Sequence, residues 1–271
     1  MDLSSIKPVL LIASIMVSAT PILLAAIGEM VVEKAGVLNL GVEGMMIVGA
    51  VVGFAVAVNA GSPFPGFVAA ALASAVLSLS FGFLTLYLMS NQVATGLGLT
   101  LVGLGLSSLI GKPYEGMKSP AMPKLDIPVL SDLPVLGRML FSHDIMVYIS
   151  LLLVVAVWAF LKYSRAGLIL RAVSESHDAA HALGYKVIRI RMMAIFFGGA
   201  CAGLGGAYLS LVRVPQWTEG MTAGAGWIAL AIVVFASWRA TSRAASFTWR
   251  AIFRCVVLGQ HLDFSSQPAH S

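Results

Sequence analysis

VLLIASIMVSATPILLAAIG, residues 9–28, is an unbroken run of 20 uncharged and mostly apolar residues near the start of the chain. An α-helix rises about 1.5 Å per residue, so about 20 apolar residues match a hydrocarbon core of about 30 Å. Comparable runs recur six more times along the sequence. The chain is therefore predicted to be an all-α, polytopic transmembrane helical bundle of about seven spans: Val9–Ile27, Val37–Val58, Phe67–Met89, Val93–Ile110, Ile145–Leu161, Met192–Val212 and Met221–Trp238.

Composition agrees with this interpretation, because 59% of the 271 residues are hydrophobic and only 11% are charged, against about 25% charged in ordinary globular domains. Seven spans leave little room for a separate soluble domain. The apolar and polar residues do not alternate as they would in barrel strands. The formal charge of +5 comes from basic residues at the edges of the spans, so membrane lipid and no nucleic acid is expected as a partner. The first run is longer than a signal-peptide core and is predicted to remain uncleaved.

Charges in the connecting segments predict the orientation of the spans. Residues Lys162–Arg191 contain six Lys and Arg residues, whereas Lys112–Asp144 balances four basic with four acidic residues. Because Lys and Arg are enriched in cytoplasmic loops, the first segment is predicted to be cytoplasmic and the second external. Counting spans from there places Gly28–Gly36 and the residues after Arg239 on the cytoplasmic side, and Ala60–Gly66 outside.

Glu43 is the most costly residue of the predicted spans, because a carboxylate inside a bilayer costs at least about 2.5–3.5 kcal/mol. Asn39, Gly41 and Gly44 weaken a regular helix beside it, and transporters place ligand or ion contacts at broken helices. The sequence leaves open whether Glu43 faces such a path or touches water or Lys34 at the cytoplasmic surface.

Asn91 and Gln92 form a second polar pair, between the third and fourth predicted spans. Two interpretations are open for them. The pair either makes a tight turn at the membrane surface or lines a translocation path.

A short helix is predicted in the cytoplasmic segment, over about two turns from Ser174 or Ser176 to Gly184. Either serine is a suitable N-cap, and glycine is favoured just after a helix end. Its small apolar face, flanked by Arg171 and Lys186, favours docking into a groove of a partner protein. An ordinary connector on the membrane surface is the alternative. The face consists of Ala179, Ala180 and Leu183.

Several motifs for other chemistry are missing from the sequence. All five histidines lie outside the predicted spans, which disfavours an intramembrane catalytic or metal site. Cys201 and Cys255 have neither metal-ligand nor disulfide spacing. The residues from Gly105 to Pro113 do not have the spacing of a phosphate loop. The chain is therefore not predicted to bind ATP or another cofactor, and any energy for pumping has to come from another subunit or an ion gradient.

A set of short motifs extends from about Val9 to Arg239, the most specific being Gly36–Met46. The others are Thr20–Glu29, Glu33–Met46 as a whole, Asn91–Val93, Leu170–Val173, Ala179–Gly184, Gly220–Gly224 and Trp227–Ala231. Together they resemble the permease subunits of bacterial ABC importers, in the group for branched-chain amino acids, ribose-type sugars and nucleosides. The likeness is strongest to nucleoside or simple-sugar permeases paired with basic-membrane-protein-type lipoproteins.

The resemblance implies a non-enzymatic, multi-pass permease of the bacterial cytoplasmic (inner) membrane that moves a nucleoside or simple sugar inward. Its implied partners are a second permease chain, identical or different, cytoplasmic subunits that bind and hydrolyse ATP, and an external substrate-binding lipoprotein. The helix His177–Leu183 would be the coupling helix, with Arg171, Glu175, Ala179, Ala180, Leu183 and Gly184 forming the surface toward the ATPase. Residues of the substrate path would be Asn39, Gly41, Glu43, Asn91 and Gln92.

The sequence departs from the family pattern after Ala240, where members continue with further Gly- and Leu-rich spans. We therefore divide the chain into a permease domain, residues 1–240, and an atypical tail, residues 241–271. One interpretation of the tail is an amphipathic cytoplasmic helix, and the other, which we favour, is a frameshift that replaced the terminal spans. A functional alternative also stays open: an ion-coupled secondary transporter that uses Glu43. A membrane-embedded enzyme is disfavoured.

Overall fold

A computed structural model of the chain describes residues 8–122 and 144–240. These residues form a bundle of α-helices, and they contain no β-strand longer than an isolated bridge. The helices are α1 (Pro8–Glu33), α2 (Val42–Ala60), α3 (Pro63–Leu86), α4 (Gln92–Gly111), α5 (Ile145–Tyr163), α6 (Arg165–Glu175), α7 (His177–Ala182), α8 (Val187–Tyr208) and α9 (Ala225–Ala240). A π-helical turn, Leu209–Arg213, continues α8. The all-α bundle predicted from the apolar runs is confirmed.

Six helical segments of the described residues are long and apolar enough to cross a membrane. The seventh predicted span differs, because its helix begins only at Ala225 and is shorter. Ala223 (φ +43°) and Gly224 (φ +86°) have left-handed backbone conformations that cannot continue a right-handed helix. The predicted division at residue 240 and both interpretations of the tail concern residues 241–271, which lie outside the described residues.

Helix α8 is the centre of the bundle and packs against α1, α2 and α3. Its glycines make these contacts close: a Cβ at Gly203 would lie 2.5 Å from the carbonyl oxygen of Ala70, and one at Gly205 would lie 2.6 Å from that of Pro21. Lipid provides no hydrophobic drive between helices, so close backbone approach through small residues is a main source of packing. The glycines of this span therefore serve helix packing.

The contacts between loops define two ends of the bundle. At one end Arg191 contacts the loop after α1, and the Leu38 amide donates to Gln92. At the other end Asn59 donates to Tyr114, and residues 115–119 contact residues 215–217. This grouping agrees with the predicted orientation, so we call the first the cytoplasmic end and the second the external end.

The segment between α8 and α9, residues 214–224, runs back from the external end into the bundle. Trp217 is buried against Gly111 at the external end of α4, and Ser108 donates a hydrogen bond to Glu219 farther along the same helix. Thr222 and Gly224 then reach the first turn of α2. The last described span is therefore discontinuous, with an irregular half followed by the helical half α9.

Candidate functional site

The break between α1 and α2 is caused by two local signals. Gly36 has φ +78°, its amide donates to the Glu33 carbonyl, and the Val37 amide donates to the Val32 carbonyl. This is the Schellman pattern that ends a helix with glycine in the left-handed conformation. Asn39 then accepts the Gly41 amide through its side-chain oxygen at 2.9 Å, a local bond that favours a turn over a helix. Helix α2 therefore starts at Val42 rather than at the predicted Val37.

Glu43 is the best-satisfied carboxylate of the described spans. Its Oε1 accepts hydrogen bonds from the Thr222 hydroxyl (2.5 Å) and the Gly224 amide (3.0 Å), and its Oε2 accepts one from the Gly226 amide (2.7 Å). Only 5% of Glu43 is exposed. We call this arrangement of Glu43 with Thr222, Gly224 and Gly226 the Glu43 cradle.

The cradle caps the N-terminus of α9. The first amides of a helix have no partner within the helix, and its N-terminal end carries a partial positive charge. The Glu43 carboxylate of α2 accepts hydrogen bonds from these amides and places a negative charge beside this end of α9. Glycine is required at position 226, because a Cβ there would lie 2.7 Å from the Glu43 Cα atom and 2.7 Å from its amide nitrogen.

The contact of α2 with α4 gives the position of Glu43 along the length of the bundle. A Cβ on Gly103 would lie 2.6 Å from the Cα of the neighbouring Gly44, and one on Gly44 would lie 2.7 Å from the Cα of Thr100. Thr100 and Gly103 follow Gln92, the first residue of α4, by 8 and 11 positions, which is about 12 and 17 Å along the helix axis. Glu43 therefore lies about halfway along α4 and is buried in protein, which does not match the alternative of contact with surface water.

Glu29 is a second buried carboxylate that the sequence reasoning missed. It is 2% exposed on α1, and its Oε1 accepts the Asn39 backbone amide at 3.2 Å. The prediction ended the first span at Ile27 and placed Glu29 in a loop, whereas α1 continues to Glu33. Its membership in the Thr20–Glu29 motif was the signal available in the sequence. Glu29 and Asn39 thus join α1 to the turn that precedes Glu43.

Asn91 and Gln92 have different positions. Asn91 is exposed and caps α4, because its side-chain oxygen accepts the Val93 and Ala94 amides. Gln92 accepts the Leu38 amide at 2.9 Å and so holds the α1–α2 loop. Asn91 therefore caps α4 in a turn, whereas Gln92 reaches the loop that leads to the Glu43 cradle.

The short cytoplasmic helix is α7, capped by Ser176 and followed by Gly184 at φ +82°. It has six residues. Its exposed side bears Ala179 and Leu183, the latter 74% exposed. Ala180, by contrast, is buried against Val173 and Val187. The expected apolar face therefore needs correction, since Ala180 holds α7 on the bundle and cannot face a partner.

Arg171 and Glu175 lie on a separate helix, α6, which was not predicted from the sequence. Arg171 donates to the Leu161 carbonyl at the end of α5, and Glu175 is exposed in the last turn of α6. Arg171 therefore fixes α6 on the end of α5, whereas Glu175 stays exposed at the surface. Within the described ranges, no group of three or more His, Cys, Asp or Glu residues could hold a metal ion.

Comparisons with known proteins agree with this architecture. The family model for the branched-chain amino acid transport system / permease component matches residues 11–256. A putative glucose ABC transporter permease protein of Haloferax volcanii is 42% identical over 82% of this chain and 69% of its own length. A guanosine ABC transporter permease protein of Bacillus subtilis is 32% identical over 88% of this chain and 78% of its own length.

A nucleoside ABC transporter permease protein of Lactococcus lactis subsp. cremoris is 27% identical over 84% of this chain and 76% of its own length. No solved structure matches the chain. Because the family model covers most of the sequence and two relatives exceed 30% identity over most of their length, the chain belongs to the permease-component family of branched-chain amino acid transport systems and is a multi-pass ABC transporter permease subunit.

Proposed function

We propose that this chain forms the translocation path of an importer that carries a nucleoside or simple sugar inward across the bacterial cytoplasmic (inner) membrane. The observation that carries the proposal is the discontinuous last span, whose helical half begins on Glu43, about halfway along α4. Irregular backbone within a membrane is tolerated where it is buried in protein or lines a cavity, and transporters place substrate contacts at such breaks. Asn39, Gly41, Glu43 and Gln92 are the residues we assign to the path, with Asn91 holding the turn beside them.

A neutral polar solute fits the charges of the described spans better than an amino acid does. Glu29 already binds the Asn39 amide, Glu43 caps α9, and Arg213 donates to the Ser18 carbonyl. A zwitterionic amino acid needs partners for an ammonium and a carboxylate group, since unpaired buried charges are costly. Relatives named for glucose, guanosine and nucleosides support the same class of solute.

The energy source in this proposal is ATP that is bound and hydrolysed by separate cytoplasmic subunits, so this chain needs no cofactor of its own and is not an enzyme. Helix α7 would be the seat for an ATP-binding subunit, through the exposed Leu183 and Ala179. The second permease chain would cover part of the exposed apolar surface of α3 to α5, and lipid would cover the rest. An external substrate-binding lipoprotein would deliver the solute.

The ion-coupled alternative is less well supported than the importer. Both carboxylate oxygens of Glu43 already accept hydrogen bonds from α9 and the residues before it. A carboxylate that is engaged in this way is a poor site for a transported cation. The relatives named as ABC transporter permeases also favour the importer.

The proposal is tested by competition for uptake. The permease would be reconstituted in proteoliposomes with its cognate ATP-binding and substrate-binding proteins, and uptake of radiolabelled guanosine and glucose would be measured in parallel. We expect that either guanosine or glucose is taken up, and that excess unlabelled isoleucine does not reduce this uptake. Uptake of isoleucine, with neither guanosine nor glucose transported, would overturn the proposed solute class.

A further inference from the structure

Arg191, in the first turns of α8, donates to the ends of two other helices at the cytoplasmic end. Its Nε donates to the Ala35 carbonyl just beyond α1 (3.1 Å), and its Nη2 donates to the Val173 carbonyl in the last turn of α6 (3.3 Å). The guanidinium group thus forms a direct polar link between the end of α1 and α6. Nothing in its sequence context distinguished it from the other basic residues of this segment.

These two carbonyls are favourable partners for a cation. The last four carbonyls of a helix have no partner within the helix, and the C-terminal end carries a partial negative charge. The Schellman bonds after α1 use the carbonyls of Val32 and Glu33 and leave that of Ala35 for Arg191. Arginine, with several donors in a planar fork, can serve two helix ends at once, whereas lysine is a single point charge.

On one side, Arg191 connects to α7. Val173, whose carbonyl it binds, is fully buried with Ala180 of α7 and Val187 of α8 in one small apolar cluster. Helix α7 also shares Ser176 with α6, as the C-cap of α6 and the N-cap of α7. A shift of α7 therefore displaces the Val173 carbonyl.

On the other side, Arg191 connects to the α1–α2 loop, residues 34–41. Gly36 of this loop lets α6 come close, since a Cβ on it would lie 3.3 Å from the Ser174 Cα. The same loop is held by Gln92 of α4 through Leu38, and by Glu29 of α1 through Asn39. It leads directly into the first turn of α2, which carries Glu43.

We infer that Arg191 is the joint through which movement of α7 reaches the α1–α2 loop and the Glu43 cradle. It is a positioning residue, because it acts through the Ala35 and Val173 carbonyls. This inference rests on the proposed function. In an ATP-driven cycle, the joint lets a displacement at the cytoplasmic surface reorient the turn in front of α2, so that hydrolysis is tied to movement of the solute.

The test compares Arg191→Gln with Arg189→Gln in the complete reconstituted transporter. Arg189 is an exposed cation two positions away on the same helix and is the matched control. Three quantities are measured: co-purification of the ATP-binding subunit, the rate of ATP hydrolysis, and the uptake rate of whichever of guanosine or glucose the parent takes up. The informative readout is uptake per ATP hydrolysed.

For Arg191→Gln we expect normal co-purification, with hydrolysis retained. Uptake per ATP should fall by about tenfold, within the range of about 5–150-fold typical of coupling between sites. Arg189→Gln should keep the parental ratio. Arg191→Lys keeps the positive charge but loses the planar fork of donors, so its ratio should lie between those of the parent and Arg191→Gln.

An unchanged ratio in Arg191→Gln overturns the inference, and so does a parallel loss of uptake and hydrolysis, which marks a merely structural role. If Arg191→Gln does not assemble, Arg191→Lys is measured instead. Parental uptake per ATP in Arg191→Lys then refutes the inference, and lowered uptake per ATP supports it. A parent complex without ATP-dependent uptake would refute the proposed function itself, which is a separate result.

Discussion

Replacing Glu43 with glutamine changes the cradle by one atom and tests its geometry directly. In the parent, both carboxylate oxygens accept hydrogen bonds, Oε1 from Thr222 and Gly224 and Oε2 from Gly226. Glutamine has one acceptor oxygen, and its other terminal atom is an NH₂ donor. Whichever way the amide turns, a donor then faces a backbone N–H at the start of α9. The variant is therefore expected to be less stable than the parent.

The magnitude follows from the lost bonds. A hydrogen bond to a charged group contributes about 1.5–3 kcal/mol, so Glu43→Gln should lose at least about that much. Glu43→Ala leaves three donors without their acceptor, at about 1–3 kcal/mol each, and should lose more. For a chain of about this size, 1 kcal/mol corresponds to about 2–4 °C in Tm, so Glu43→Gln should melt about 3–12 °C lower.

The assay is thermal unfolding of the purified permease in detergent, followed by the accessibility of buried Cys201 to a thiol-reactive dye. Glu175→Gln, the same chemical change at an exposed position of α6, serves as the control and should melt like the parent. The expected order of Tm is parent and Glu175→Gln, then Glu43→Gln, then Glu43→Ala. Parental Tm in both Glu43 variants would refute the capping role. Parental uptake in Glu43→Gln would refute a charge-dependent role in transport.

Three further changes have defined outcomes. Leu183→Asp should leave membrane insertion intact but abolish co-purification of the ATP-binding subunit, because it places a charge in the docking contact. Undiminished association would refute the docking of that subunit on α7. Thr222→Val should lower Tm, and its effect should be non-additive with Glu43→Gln in a double-mutant cycle, since the two side chains share a bond. Gly206→Ala should lower the free energy of unfolding by about 1–3 kcal/mol or more, because its Cβ would overlap a backbone carbonyl of α2. The control Gly98→Ala has open space around it and should be tolerated. Equal Tm values for these two alanine variants would contradict the packing of α8 on α2.

Most of the bundle could be predicted from sequence, because the length and polarity of the spans are set by the hydrocarbon core. The seventh span was less predictable, since apolar residues continue across its break and only the Gly220–Gly224 stretch signals irregular backbone. The helix start at Val42 was missed for a similar reason. Composition predicts which segments lie in the membrane. The end of a helix, by contrast, depends on one or two residues in special backbone conformations.

The candidate site was predictable only in part. Glu43 was conspicuous, because a carboxylate in a span is costly, but its partners in α9 are about 180 positions later and no local pattern connects them. Glu29 was hidden by a boundary error of a few residues. Ala180 was assigned to the wrong face, because a helix of six residues is too short for periodicity to distinguish inward from outward positions.

The source of energy is the most direct test of the account. Proteoliposomes holding the permease with its cognate ATP-binding and substrate-binding proteins would be supplied with ATP on the side of the ATP-binding subunits, and uptake of guanosine or glucose measured with and without an uncoupler. We predict uptake that persists in the uncoupler and stops when ATP is replaced by a non-hydrolysable analogue. Uptake that is abolished by the uncoupler while ATP remains intact would contradict an ATP-driven permease and favour ion coupling through Glu43.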